Sequence, residues 1–567
     1  MDKIYQYKVF KHIIPELENW PISRFITRKK SFLQELNADV FEQYQTMTKE
    51  EIDTAIARTI YLEKQRVKTN PWKADPPYEM QYYRKIQNEY NANQLLPDKH
   101  KGNLETLSRL INRFSQEIIG HFNSKTFLLV RRWSDILFNI LLYSFRWSVF
   151  WSKSIKLRDK NQQSLRVNGY VESARNLFNE HIVVLVPTHS SNLDSILVGY
   201  AIDLSVGLPA FSYGAGLNLF DSEFFAFFMN RLGAYKVDRR KKNSIYLHTL
   251  TAYSKLSVME GVNTIFFPGG TRSRSGELEI KLKLGLLGSL IQAQRLLIEK
   301  GSEKKIVIVP VVLGYESVLE ARSLISQYLS STGQEKYTGR TIIAGLGSYL
   351  KLIKRVFQLP TKIYLTFGKP MDVFGNQLDD QGESFDHKQH KVMLKDYFVT
   401  NGAVAKDDQR EMIYTRELVE KICQSFQKYN YILPSHLVSH AAFLLLSKMN
   451  PQHDIYSLVQ LPEEDYFLPV KTMNDLCKQL QYILFQKAER GELIYPKEIE
   501  GSIDDVISKG IESLGIFHLK RILTKDVYGR IYSEDFLGLL YYANRLNHMD
   551  LKAEVNWNSI ILETERF

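Results

Sequence analysis

Two residues, His189 and Asp194, stand five apart in the run Thr188-His189-Ser190-Ser191-Asn192-Leu193-Asp194. A neutral imidazole near pH 7 can take a proton from an alcohol, and a carboxylate on its other ring nitrogen fixes tautomer and orientation. On a single helix, residues five apart point about 140° away from each other. The pair therefore works only if His189 lies in a loop and Asp194 opens the next helix. The spacing alone is unspecific, and it gains weight only from its setting.

A second stretch, Phe266 to Gly276, carries a different chemistry. Gly269 and Gly270 allow a tight backbone turn. Thr271, Ser273 and Ser275 offer hydroxyls, and Arg272 and Arg274 offer planar forks that match a phosphate. Spaced by two along an extended loop, the arginines point to one side. The competing reading is an ordinary basic surface turn. No G-x-x-x-x-G-K-[ST] run is present, so this is not a Walker loop. Lys283 adds charge to the same site or is a solvated lysine at a helix start. Arg240, Lys241 and Lys242 read as a face toward solvent, lipid headgroups or an acidic carrier.

Each motif needs a strand behind it. Ile182 to Val186, Thr264 to Phe267 and Ile306 to Val309 are short apolar, β-branched runs, each followed by proline. Helical patterns at Asn243 to Glu260 and Leu284 to Lys300 separate the later runs. This alternation predicts an α/β core over residues 166–375 with a mostly parallel central sheet. Ligands of such sheets gather beyond the carboxyl ends of the strands, where both motifs fall.

Helical regions are expected on either side, at residues 1–165 and 376–567. In the first, Lys49 to Val67 and Asn103 to Phe122 carry helical periodicity, separated by a loop around Pro71, Pro76 and Pro77. Phe127 to Trp151 sets Arg131, Arg132, Trp133, Trp147, Trp151 and Lys153 around an apolar middle. Two readings stand: a helix lying in a membrane interface, or a buried helix packed on the core. In the tail, Asn376 to Gln389 reads as a polar loop, and Met412 to Tyr429 and Leu437 to Lys448 as helices.

The chain has 567 residues, 44% of them hydrophobic and 12% aromatic, which excludes wholesale disorder. A net charge of +11 favours an anionic partner. Dispersed basic residues and the lack of a zinc or RNA-binding signature speak against nucleic acid. Two cysteines, Cys423 and Cys477, make a disulfide framework or a cysteine zinc site untenable. The start lacks a signal peptide's apolar core. The most apolar stretch, Ile136 to Phe150, is broken by Asn139 and Arg146 and is shorter than the ~20 residues of a spanning helix. No transmembrane helix is expected.

Taken in order, His189 to Asp194, Gly233 to Arg239, Phe267 to Gly276 and Val309 to Val311 resemble the four blocks of the glycerol-phosphate acyltransferases, over roughly residues 180 to 320. Tyr213 to Asn218, Phe224 to Gly233, Val311 to Glu320 and Asn430 to Val438 look like the glycerol-3-phosphate and dihydroxyacetone-phosphate branch. The resemblance implies that His189 deprotonates a glycerol hydroxyl, which attacks the thioester of acyl-CoA or acyl-carrier protein, while Asp194 holds the imidazole. It implies that Arg239, Gly270, Thr271, Arg272, Ser273 and Arg274, with Lys283, bind the acceptor's phosphate. It implies no metal and no resident cofactor, and peripheral attachment to an anionic membrane surface on its cytoplasmic face. The chain departs from the family pattern at Gly269, where many members carry Glu. Three readings remain: acylation of glycerol 3-phosphate, acylation of 1-acylglycerol 3-phosphate, and an inactive lipid-binding scaffold.

Overall fold

The computed structural model describes residues 9–142, 165–191, 194–217, 231–318, 320–333, 362–462, 466–514, 518 and 520–560. The part of Phe127 to Trp151 beyond Leu142, and most of the Phe224 to Gly233 block, lie outside these residues.

Seven strands form one sheet: β1 (Leu165–Gly169), β2 (Ile182–Pro187), β3 (Ser212–Gly216), β4 (Ala234–Val237), β5 (Thr264–Ile265), β6 (Ile306–Tyr315) and β7 (Ile363–Phe367). Their order is β1-β7-β6-β2-β5-β3-β4. Every neighbouring pair is parallel except β6 and β7. The sheet is therefore mostly parallel, and β7 and β1 run opposite to the rest. Every residue of β2 and β6 is buried, because helices cover both faces and β-branched side chains fit a pleat enclosed on two sides.

Alternation along the strands divides the core. Val183, Leu185, Val307 and Val309 face a cluster that continues through Leu437, Leu480 and Leu539 of the tail to Ile560. Ile182, Val184, Ile306 and Ile308 face the opposite cluster, with Leu287 and Leu290 of the helix Leu284–Glu299 and Leu418 and Ile422 of the helix Asp408–Lys428. A third cluster joins the helix Ser244–Met259 to the N-terminal helices Lys29–Gln45, Lys49–Thr69, Glu79–Asn93 and Lys99–Ile118.

The helices lie near their expected spans. Lys49–Thr69 begins with Thr48 and Glu51 in a reciprocal capping box. Two expectations change. Of Thr264 to Phe267 only the first two residues remain in the ladder, because the chain turns at Phe267 to meet His189. The polar loop from Asn376 contains a small antiparallel ladder, Gln377–Leu378 against Ser384–Phe385. Among the described residues, no helix is long and apolar enough to cross a membrane.

Candidate active site

The strands end where the chemistry begins. After Pro187, Thr188 Oγ1 accepts the backbone N–H of Leu313 at 3.0 Å and ties the exit of β2 to β6. His189 follows in the loop, and Asp194 is the first residue of the helix Asp194–Ala201. The spacing thus has the loop-to-helix setting it requires. His189 Nδ1 lies 2.7 Å from Asp194 Oδ2. The same oxygen accepts the backbone N–H groups of Ser190 at 2.6 Å and Ser191 at 2.9 Å. Tyr315, at the end of β6, donates its hydroxyl to Asp194 Oδ1. Asp194 is fully buried, so each of these bonds acts without competition from water. With Nδ1 on the carboxylate, the ring presents Nε2 to whatever enters the cleft.

The Phe266–Gly276 loop is built around His189. The Phe267 ring packs on the His189 imidazole with centroids 4.5 Å apart. Pro268 and Gly269 form a turn closed by the Gly270 N–H on Phe267 O at 3.1 Å, and Gly270 leaves it at φ +76°. Ser273 N–H donates to His189 O at 2.7 Å, joining the two motifs by backbone alone. Lys283 N–H closes the loop on Pro268 O, also at 2.7 Å. The Ser273 hydroxyl is donated to Glu277 O at 2.7 Å, so this side chain braces the loop.

A cleft of about 730 Å³ opens at these strand ends. His189, Arg239, Gly270, Thr271, Arg272, Arg274 and Lys283 line it, whereas Asp194 stands behind His189 and Ser273 behind the loop. Arg272 faces Glu320 at 3.6 Å. Among the described residues, no carboxylate forms an ion pair with Arg239, Lys242, Arg274 or Lys283, so four uncompensated cations share one concavity. That is an anion site. Tyr213, Leu250, Phe266 and Leu286 supply apolar wall to the same space.

The tail region reaches the loop from outside. Asn544 Nδ2 donates to Ser275 O at 2.8 Å, and Asn547 Nδ2 donates to Glu277 Oε1 at 3.1 Å. Gly276 has φ +87°, and a Cβ there would fall 2.0 Å from Tyr541 O, so the two backbones touch. Arg545, fully enclosed, donates to Leu313 O at 2.7 Å and Asn430 Oδ1 at 2.9 Å. Burial pushes its guanidinium down to about 10.

One expectation is overturned. Arg240 and Lys241 do not form a solvent or lipid-facing surface. Arg240 pairs with Asp238 at 2.8 Å and with Asp75, and stacks 3.9 Å over the Trp72 ring. Lys241 is 3% exposed, with Nζ 2.6 Å from Glu117 and 3.6 Å from both Glu63 and Glu79. Arg66 completes the cluster on Glu63 and Glu79. Apart from Asp238, the partners are more than a hundred residues away in sequence, and Arg240 and Lys241 are neutralised by a fold-made acidic nest. Only Lys242 of the three stays exposed. Sequence reading also missed Glu279 and Asn544, which carry no local motif, and gave Tyr315, inside the Val311 to Glu320 block, no role of its own.

Residues 167–314 match the family model described as Acyltransferase. A glycerol-3-phosphate acyltransferase of Aeromonas hydrophila is 31% identical over 236 residues, 41% of this chain and 27% of that protein. The protein of the same name from Alteromonas mediterranea is 34% identical over 165 residues, 29% of this chain and 19% of its own. The chain spans about a quarter of the length of the curated relatives it matches. A solved 1-acyl-sn-glycerophosphate acyltransferase of Thermotoga maritima aligns with 68% of this chain and 100% of its own at 12% identity, with a TM-score of 0.25.

A mostly parallel α/β sheet with a half-buried, carboxylate-oriented histidine at its strand ends thus accompanies the match of residues 167–314 to the Acyltransferase model.

Proposed function

We propose that this chain transfers a fatty acyl group from a thioester, acyl-CoA or acyl-carrier protein, to a hydroxyl of glycerol 3-phosphate. The observation that carries the reading is the shared cleft: Nε2 of an oriented His189 and the unpaired Arg239, Arg274 and Lys283 line the same space. The cations hold the phosphate, together with Arg272 and the loop at Gly270 and Thr271, and the hydroxyl comes to His189. Its proton passes to Nε2 as the oxygen attacks the thioester carbonyl. Asp194 steadies the imidazolium that forms. Collapse of the tetrahedral intermediate expels the thiolate, which takes that proton back. The apolar wall at Leu250 and Leu286 suits the acyl chain.

Relatives named for glycerol 3-phosphate support this acceptor over 1-acylglycerol 3-phosphate. We place the protein peripherally on a membrane, where Leu128, Leu129 and Trp133, 48%, 48% and 62% exposed on the helix Ser124–Leu142, offer an apolar contact. The test is transfer by the purified chain from palmitoyl-CoA and from palmitoyl-carrier protein, to each acceptor separately, with His189→Ala as control. Lipid product from glycerol 3-phosphate that vanishes in the variant is the expected result. Product only from the lysolipid moves the acceptor, and equal product from the variant removes His189 as the base.

A further inference from the structure

One carboxyl group beside the base has no part in that scheme. Glu279 Oε1 accepts the backbone N–H of His189 at 3.3 Å. Although the residue as a whole is half-buried, its Oε2 is closed off from solvent and has no hydrogen-bond partner among the described residues. A buried polar atom left unpaired is costly, and it persists where the group is held for a reason. The space it occupies has a second owner. A Cβ at Gly269 would fall 2.4 Å from Glu279 Oε1 and 2.6 Å from its Cδ. Position 269 therefore has no side chain because position 279 fills the room that side chain would need. The two chain segments meet on one carboxyl-sized site beneath the base and the glycine turn.

We propose that Glu279 is a positioning residue for His189, and that positions 269 and 279 are alternative origins for a single carboxyl that braces the base loop. The claim rests on His189 acting as the base. Glu279 anchors the amide of the residue whose ring must meet the acceptor hydroxyl. Through Gly269 it also sets the height of the turn on which Gly270 and Thr271 sit. A side chain started from position 269 enters the space that the Glu279 carboxyl occupies, so on this proposal the brace can be moved between the two positions, but both cannot be present together.

The test uses the full chain with Glu279→Ala, Glu279→Gln, Gly269→Glu and the exchange variant Gly269→Glu/Glu279→Ala, each checked for folding by its melting transition. Glu279→Ala is expected to lower kcat about 10- to 100-fold with KM for glycerol 3-phosphate nearly unchanged, because geometry at the base is lost and the phosphate site is kept. Glu279→Gln keeps an acceptor for the His189 amide and should stay within about threefold of wild type in kcat. Gly269→Glu alone should fall at least as far as Glu279→Ala, and the exchange variant should recover most of the loss. Hydrogen exchange supplies a readout that does not need turnover. The peptide spanning residues 188–191 should exchange faster in Glu279→Ala and slow again in the exchange variant. Unchanged kcat and exchange in Glu279→Ala would overturn the proposal, as would a folded exchange variant with neither restored. If wild type transfers nothing to glycerol 3-phosphate, the functional reading fails, and the exchange rates still decide whether Glu279 braces the loop.

Discussion

Tyr315 and Asp194 are joined across the strand ends: the last residue of the longest strand donates its hydroxyl to the one carboxylate oxygen that neither His189 nor the loop amides use. The base is thereby set by the sheet itself. Tyr315→Phe leaves Asp194 Oδ1 buried without that donor. It should cost about 1–3 kcal/mol of stability and lower kcat about tenfold or more, without raising KM for the phosphate acceptor. Chemical denaturation and steady-state kinetics on one preparation check both. An unchanged kcat would mean that Asp194 needs no second anchor.

The unpaired cations should separate binding from chemistry. Arg239→Ala and Arg274→Ala each remove a charge from the anion site while leaving the His189–Asp194 pair in place. Each should raise KM for glycerol 3-phosphate about tenfold or more, with a smaller effect on kcat. Added salt should weaken wild type more than either variant. Initial rates against acceptor concentration at two ionic strengths make the measurement.

Burial gives Glu279 a pH signature. Enclosure pushes its carboxyl up from 4.5 to about 8; Asp194 adds to the rise, while the His189 amide and Arg545 oppose it. Cys423 is the other titrating neighbour, and its thiol is pushed up to about 11. Below pH 4.5 Glu279 is protonated folded or unfolded and contributes no pH dependence. Between 4.5 and about 8 only the folded chain keeps the proton, so this group's contribution to stability falls as pH rises, and it levels off above 8. Glu279→Gln lacks that slope. Its Tm relative to wild type should therefore be higher at pH 8.5 than at pH 5, and a difference that does not move with pH would contradict a carboxyl held neutral by burial.

The nest around Lys241 predicts a stability defect rather than a catalytic one. Lys241→Ala leaves Glu63, Glu79 and Glu117 with less positive charge in a buried site. It should cost about 3–5 kcal/mol in denaturant unfolding. Exchange protection should drop first in the helices Lys49–Thr69 and Lys99–Ile118, which this cluster ties to the end of β4.

What could be read in the sequence followed from locality. β2 and β6 are unbroken apolar runs, and the helix Leu284–Glu299 follows its own periodicity. The His189–Asp194 pair and the Phe266–Gly276 loop carry their residues side by side. By contrast, β7 gave no cue that it would run against β6, since direction is set by where a connection ends. Arg240 and Lys241 looked like surface because Asp75, Glu63, Glu79 and Glu117 come from distant parts of the chain. Gly269 read as a lost carboxylate, and only the fold shows Glu279 in the adjoining space.

The backbone contact of Gly276 with Tyr541, fastened by Asn544 on Ser275, bears on how this chain can be dissected. Residues 167–314 contain the four main blocks and the cleft cations, yet the outer wall of their Phe266–Gly276 loop is supplied from more than 250 residues further along the chain. A fragment trimmed to the matched segment would keep the catalytic vocabulary and lose the grip that gives it shape. Recognition of the domain by sequence and autonomy of the domain as an enzyme are, for this chain, different lengths of polypeptide.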